Sequence, residues 1–123
     1  MAQLNNTQSV AVGVPTKLTN KGTLNAQTGT LLFTIPAHPE GKDFSAILQA
    51  IGSSLTGLSA DLQVAADGLA ADLANYKTTV LTAAAPVAAV SGEGANPLVA
   101  GALFAVNITA LTGTACDIWI VIN

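Results

Sequence analysis

The chain predicts an all-β fold, an antiparallel β-sandwich of jelly-roll-like form with seven to eight short strands, and three observations carry that reading. Ala60, Leu62, Val64 and Ala66 alternate with Asp61, Gln63, Ala65 and Asp67, the period-two pattern of a strand with one core face and one wet face. Turn residues recur at roughly 8–12-residue intervals, the spacing of sandwich strands. Finally, a short design is used twice: Leu55-Thr56-Gly57 through Val64 reappears, 56 residues later, as Leu111-Thr112-Gly113 through Ile120. Asp61 answers to Asp117, Leu62 and Val64 to Ile118 and Ile120, and upstream Ala46 and Leu48 to Ala102 and Phe104. Strand, Thr-Gly turn and strand, twice over, reads as two hairpins.

The elements follow in order. Residues 1–29 are polar and turn-rich, with Asn5-Asn6, Thr19-Asn20-Lys21-Gly22 and Thr28-Gly29 around a β-like run, Ser9 to Val14. This segment reads as an N-terminal arm with a candidate edge strand, and residues 30–123 as the sandwich domain. Thr30 to Ile35 is a β-prone run that ends at Pro36, which cannot donate to a ladder, and Ala37 to Lys42 is a loop. Phe44 to Leu58 fits two templates, because Phe44, Ile47, Leu48, Ile51, Leu55 and Leu58 also have helical spacing. Gly52, Ser53-Ser54 and Thr56-Gly57 are poor helix-interior residues, and the aligned copy contains β-branched Val106, Ile108 and Thr109, so a strand is expected. Asp67-Gly68 then closes a hairpin, since both residues tolerate positive φ. Leu69 to Asn75 has room for a helical turn, Tyr76 to Thr82 returns to β composition, and Ala83 to Val90 is Ala-rich and interrupted by Pro86. Ser91 to Pro97 is a loop. In the last two strands Phe104, Val106 and Ile108 share one face, as do Cys116, Ile118, Ile120 and Ile122. Trp119 and Val121 lie opposite the isoleucines, which predicts a central strand or one whose outer face meets another subunit.

Composition narrows the function. A chain of 123 residues is one domain. Only 9% of it is charged while 50% is apolar, against roughly a quarter charged in an average soluble domain. Such a surface is either Ala, Ser, Thr, Asn and Gln or is buried against other subunits. No stretch supplies the roughly 20 apolar residues of a spanning helix, since Leu98 to Leu111 is broken by Gly101, Asn107 and Thr109. Residues 1–6 lack the basic and apolar regions of a secretory signal, so a cytoplasmic product is expected. A net charge of −3 with four lysines and no arginine argues against nucleic acid, which needs a basic patch.

Residues with chemistry are few. His38, the only histidine, lies in a loop without a nucleophile context, and Cys116 sits in an apolar strand where burial would raise its pKa. Asp61, Asp67, Asp72 and Asp117 contain the oxygens of a calcium site, but their places on outward strand positions and around a turn are explained by β structure alone. The glycines of Ser91-Gly92-Glu93-Gly94 lack the Lys and helix of a phosphate loop. Trp119 and Tyr76 could stack on a sugar, yet Trp119 lies in the most apolar strand, where core or subunit interface is expected. No catalytic residue, cofactor or metal is therefore assigned, and the candidate interface residues are Val10, Val12, Val14, Trp119 and Val121.

The run Leu48-Gln49-Ala50, Leu55-Thr56-Gly57-Leu58, Ala60-Asp61-Leu62-Gln63-Val64, Asp67-Gly68, with the later Phe104 to Gly113, resembles the small β-sandwich proteins of tailed-bacteriophage virions. The likeness covers the chain from Phe44 onward. Where that family reads Leu-Gln-x-Ser-x-Asp-Gly this chain has Ala65-Ala66, the aromatic pair after Asp-Gly is missing, and Ala102 or Leu103 replaces an Arg. These departures weaken a sugar-binding surface. The resemblance implies a non-enzymatic head decoration or cement protein, assembled in the host cytoplasm into the virion. Its partners would be further copies of itself, with a homotrimer favoured, and the major capsid protein, with no nucleic acid or membrane. The arm, Met1 to about Val14, is expected to reach the shell. The alternative is a tail-fibre, baseplate or adhesin module that binds a host glycan.

Overall fold

The computed structural model describes residues 7–19, 23–41, 44–52, 55–90, 98–113 and 115–123. Within them the chain forms β1 (Thr7–Ser9), β2 (Thr16–Lys17), β3 (Gly29–Thr34), β4 (Ala46–Ile51), β5 (Gly57–Ala65), β6 (Ala74–Thr82), β7 (Val87–Val90), β8 (Leu103–Thr112) and β9 (Asp117–Ile122). A single 3-10 turn, Ala70–Asp72, falls in the stretch read as having room for one. Phe44 to Leu58 takes the strand reading. Gly52 and Thr56-Gly57 do not extend a helix, and Ala46, Leu48 and Ala50 are buried while Ile47, Gln49 and Ile51 are exposed.

The pairing is nested. β2 pairs with β9, β3 with β8, β4 with β7 and β5 with β6, all antiparallel. The chain from β2 to β5 is therefore matched, strand by strand in reverse, by the chain from β6 to β9. Two further antiparallel pairs, β4 with β9 and β5 with β8, roll this long double ribbon into two sheets ordered β1-β3-β8-β5-β6 and β2-β9-β4-β7. Without β1, that order is the jelly roll. β1 adds to the edge of the first sheet, parallel to β3.

Between the sheets lies one core. Phe33, Phe44, Phe104, Leu48, Leu62, Ile108 and Ile118 are all at most 1% exposed, and the rings of Phe33 and Phe104 stack with centroids 5.6 Å apart. A smaller cluster forms on the far side of the first sheet from Leu32, Ala65, Leu103 and Ala105, with Leu73 packed over it. For this reason Leu103 to Val106 is buried on both faces.

Two expectations are corrected. Neither Leu-Thr-Gly segment turns a hairpin: the first carries the chain from β4 in one sheet to β5 in the other, and the second from β8 to β9 in the opposite sense. The copies lie side by side, with Gly57 opposite Thr112 and the Thr56 N–H donating to the Thr112 carbonyl at 3.1 Å. Their registers are related by the same 56 residues, since Leu48 pairs with Ile120 and Phe104 with Val64, Ala50 with Ile118 and Val106 with Leu62. The repeat thus builds two crossing arches related by a local pseudo-dyad. Sequence alternation cannot tell such an arch from a hairpin, because both join strands of the same period. Asp67-Gly68, by contrast, does lie in the connection of a true hairpin, β5 to β6, with Gly68 at φ +80°.

The second correction concerns the arm. Thr7 to Thr19 is woven into the sandwich: Val10 N–H bonds the Thr34 carbonyl, Val12 bridges Ile122, and Leu18 N–H bonds the Ile118 carbonyl. Val10, Leu18 and Leu24 are core residues. The described residues before position 30 thus pack with the sandwich, and of the run Ser9 to Val14 read as a candidate edge strand only Ser9 lies in β1. Residues 1–6, and Ser91 to Pro97 where a loop is expected, lie outside the described residues.

Candidate interaction face

Period-two alternation sets the outer surface of the second sheet. On β9, Ile118, Ile120 and Ile122 point into the core, so Asp117, Trp119 and Val121 point out. On β4 the outward set is Ile47, Gln49 and Ile51. The registers place Ile47 beside Val121, Gln49 beside Trp119 and Ile51 beside Asp117. Ala89 and Val87 of β7 flank Ile47 and Gln49, and Lys17 of β2 flanks Trp119 on the other side.

The result is an open and mostly apolar sheet face. Ile47, Ile51 and Val87 are 48%, 50% and 53% exposed, whereas on the other sheet the outward Leu32, Ala65, Leu103 and Ala105 are covered by Leu73. A groove of about 250 Å³ runs along it, lined by Pro15, Ile47, Gln49, Ile51, Trp119 and Val121. A second, of about 270 Å³, lies by Ser45, Ile47, Ala89 and Val90. Charge is confined to one side, where Lys17 Nζ sits 3.7 Å from Asp117 Oδ2.

Of the residues marked as candidate interface from sequence, Trp119 and Val121 lie on this face. Val14 is 52% exposed on the approach to β2, next to Pro15 of the groove. Val12 is partly buried against the core. Val10 is 2% exposed and packs inside its own chain, so it presents nothing to a partner. Sequence reasoning missed Ile47, Ile51 and Val87. The signal was there in β4, which carries large aliphatics on both phases of its alternation.

The residues with chemistry are separated. His38 holds its own loop, its Nδ1 accepting from the Glu40 N–H at 3.0 Å and its ring lying 4.7 Å from that of Phe44. Cys116 is wholly buried. Burial pushes its thiol above the ordinary value of 9.0, and the Asp117 carboxylate adds to the shift.

The four aspartates weighed as calcium ligands fall in three places. Asp61 faces outward on the first sheet, accepting the Thr79 N–H at 2.7 Å. Asp117 faces outward on the second, accepting the hydroxyl of buried Thr19 at 2.6 Å. Asp67 and Asp72 meet in the β5–β6 connection, where a side-chain hydrogen bond between them lowers the pKa of Asp67 and raises that of Asp72. Among the described residues no three His, Cys, Asp or Glu come together, and no helix is long and apolar enough to cross a membrane.

Comparison of the chain with protein-family models, with curated proteins and with solved structures finds no match. The site is accordingly defined by its own geometry, a sheet face with a half-buried Trp119 near its centre, aliphatic neighbours and one ion pair at its side.

Proposed function

We propose that this chain is a non-enzymatic structural protein of a tailed-bacteriophage virion, a head decoration or cement protein that associates with itself and with the major capsid protein to stabilise the shell. The observation that carries the reading is the contrast between the two outer faces. On one sheet the outward apolar residues Leu32, Ala65, Leu103 and Ala105 are covered by Leu73 of the same chain, while on the other Ile47, Ile51 and Val87 stand about half exposed around Trp119. Contiguous apolar surface on a small protein marks a contact with another macromolecule, and aromatic residues with few charges are the composition of an interface core. A chain only 9% charged fits a molecule whose surface is covered on assembly. The sequence resemblance supplies the virion setting, and the jelly-roll topology is compatible with it, although a fold by itself selects no function.

Cosedimentation with purified tailed-phage heads that lack a decoration layer tests the proposal. Saturable binding at a fixed copy number per shell, together with a higher temperature of shell disruption, is expected. Absence of saturable binding contradicts it. The glycan-binding alternative is favoured only by the aromatic platform of Trp119 between Gln49 and Lys17, since sugars stack on such rings. Glycan-array binding lost in Trp119→Ala would establish that reading instead.

A further inference from the structure

We infer that the outer face of the β2-β9-β4-β7 sheet is a self-association surface, on which a second copy of this chain packs face to face about a two-fold axis. The inference takes its biological purpose from the virion reading, but its existence is tested without any shell. Three features of the face point to a second copy.

Extent is the first. Strands about 4.8 Å apart, with six residues each in β9 and β4, four in β7 and two in β2, at about 3.3 Å per residue give a projected area of roughly 290 Å². Two such faces, with their side-chain relief and the Val14-Pro15 rim, fall at the low end of the size range, that of a weak and reversible contact.

Charge is the second. The face carries one cation and one anion side by side, Lys17 and Asp117, 3.7 Å apart on neighbouring strands. Such a pair is its own electrostatic complement about an axis that passes beside it, which sets Lys17 of each copy against Asp117 of the other. An isologous contact requires this kind of self-complementarity. A strongly acidic or basic partner would find no net charge to meet.

The third is shape and chemistry. Among the remaining outward side chains Gln49 is polar and Ile47, Ile51, Val87 and Val121 are apolar, and these four form the dry interior that two aligned sheets need when they pack about 10 Å apart, with Trp119 inside that layer and the Gln49 amide beside it. The groove of about 250 Å³ beside Trp119 receives side chains of the facing copy.

The test is the mass of the purified protein in solution at concentrations from 1 to 200 µM, measured alongside three variants. The wild type is expected as a reversible species of twice the 12.2 kDa chain. Ile47→Lys and Ile51→Lys place a charge in the dry layer and are expected to weaken dimerisation by at least about tenfold. Both sites are about half exposed in the single chain, so the variants should keep the circular dichroism and melting behaviour of the monomer. Thr78→Lys, on an exposed position of β6 in the other sheet, should leave the dimer unchanged. A wild type that stays monomeric at 200 µM, a particle of three or more copies, or a dimer untouched by both isoleucine substitutions overturns the proposal. Head binding by a monomeric wild type would overturn this face assignment while leaving the cement reading intact; a dimer that binds no head would do the reverse.

Discussion

Cys116 shows how a single buried group writes itself into the stability of the whole. Its thiol is neutral and desolvated in the folded state, with a pKa raised by burial and by the adjacent Asp117. In the unfolded chain the thiol ionises first as pH rises, so the unfolded state binds fewer protons and is favoured. The contribution is fully present below the ordinary thiol value of 9.0 and is lost above it, at up to about 1.4 kcal/mol per pH unit. Urea melts between pH 7 and 10.5 should show this alkaline loss in the wild type and a smaller one in Cys116→Ala. The native thiol should also resist a disulfide-exchange reagent until the protein unfolds. The two repeat glycines act differently at equivalent positions. Gly113 holds φ +135°, where a side chain is strained, so Gly113→Ala should cost about 1–3 kcal/mol. Gly57 is not in that region; a Cβ there meets the Thr112 hydroxyl, which is exposed and can rotate away. Gly57→Ala should therefore lie within about 1 kcal/mol of wild type, because the smaller unfolded-state entropy offsets the crowding. Denaturant midpoints of the two variants check the order.

The arches and edge strands carry the next level of organisation. Asp61 and Asp117 occupy the same place in the repeat, yet one holds a β6 residue, Thr79, at φ +51° while the other satisfies Thr19, the buried polar side chain of the core. Asp117→Ala leaves a buried hydroxyl without its acceptor and should cost about 1–3 kcal/mol, against about 1 kcal/mol for Asp61→Ala, whose partner can turn to water. The Lys17–Asp117 ion pair, being partly exposed, adds little to that difference. β1, β2 and their connection belong to the fold, so removal of residues 1–14 takes Val10 out of the core and strips β1 from β3. A lower melting temperature is expected, and an unchanged one would show that the segment is dispensable to the sandwich. These elements also mark what was legible in the chain. β3 to β6, β8 and β9 could be read because each alternates or is β-branched and is bounded by Gly, Pro or Asp-Gly, whereas β7 lies in an Ala-rich run after Pro86 that carries no such pattern. β1 and β2 could not, because strands of three and two residues held by neighbours remote in sequence leave no periodicity to detect. Helical spacing at Phe44 to Leu58 lost to Gly52 and the Thr-Gly turn. Which sheet a strand joins depends on pairing partners 66 to 76 residues away, as for β4 and β9, and no local pattern encodes that.

At the scale of the molecule, two sheets close one core and differ in what they leave outside. The first carries Leu32, Ala65, Leu103 and Ala105 on its outer face and folds the β5–β6 connection over them through Leu73. The second leaves Ile47, Ile51, Val87, Trp119 and Val121 uncovered or half covered by its own chain. Of this face, Trp119 and Val121 were readable from the sequence as outward residues on an otherwise apolar strand. Its extent was not, because it depends on the register that sets β4 and β7 beside β9. The low charge of the chain and the uncovered sheet both fit the association proposed above. Trp119 is the only tryptophan in the chain and stands on this face, so its fluorescence reports directly on whether the face is covered. Acrylamide quenching, compared between dilute protein and protein at associating concentration, is the most direct measurement. Covering of the face predicts that quenching falls and the emission moves to shorter wavelength as concentration rises; a Trp119 equally accessible and unshifted across the whole range would contradict it.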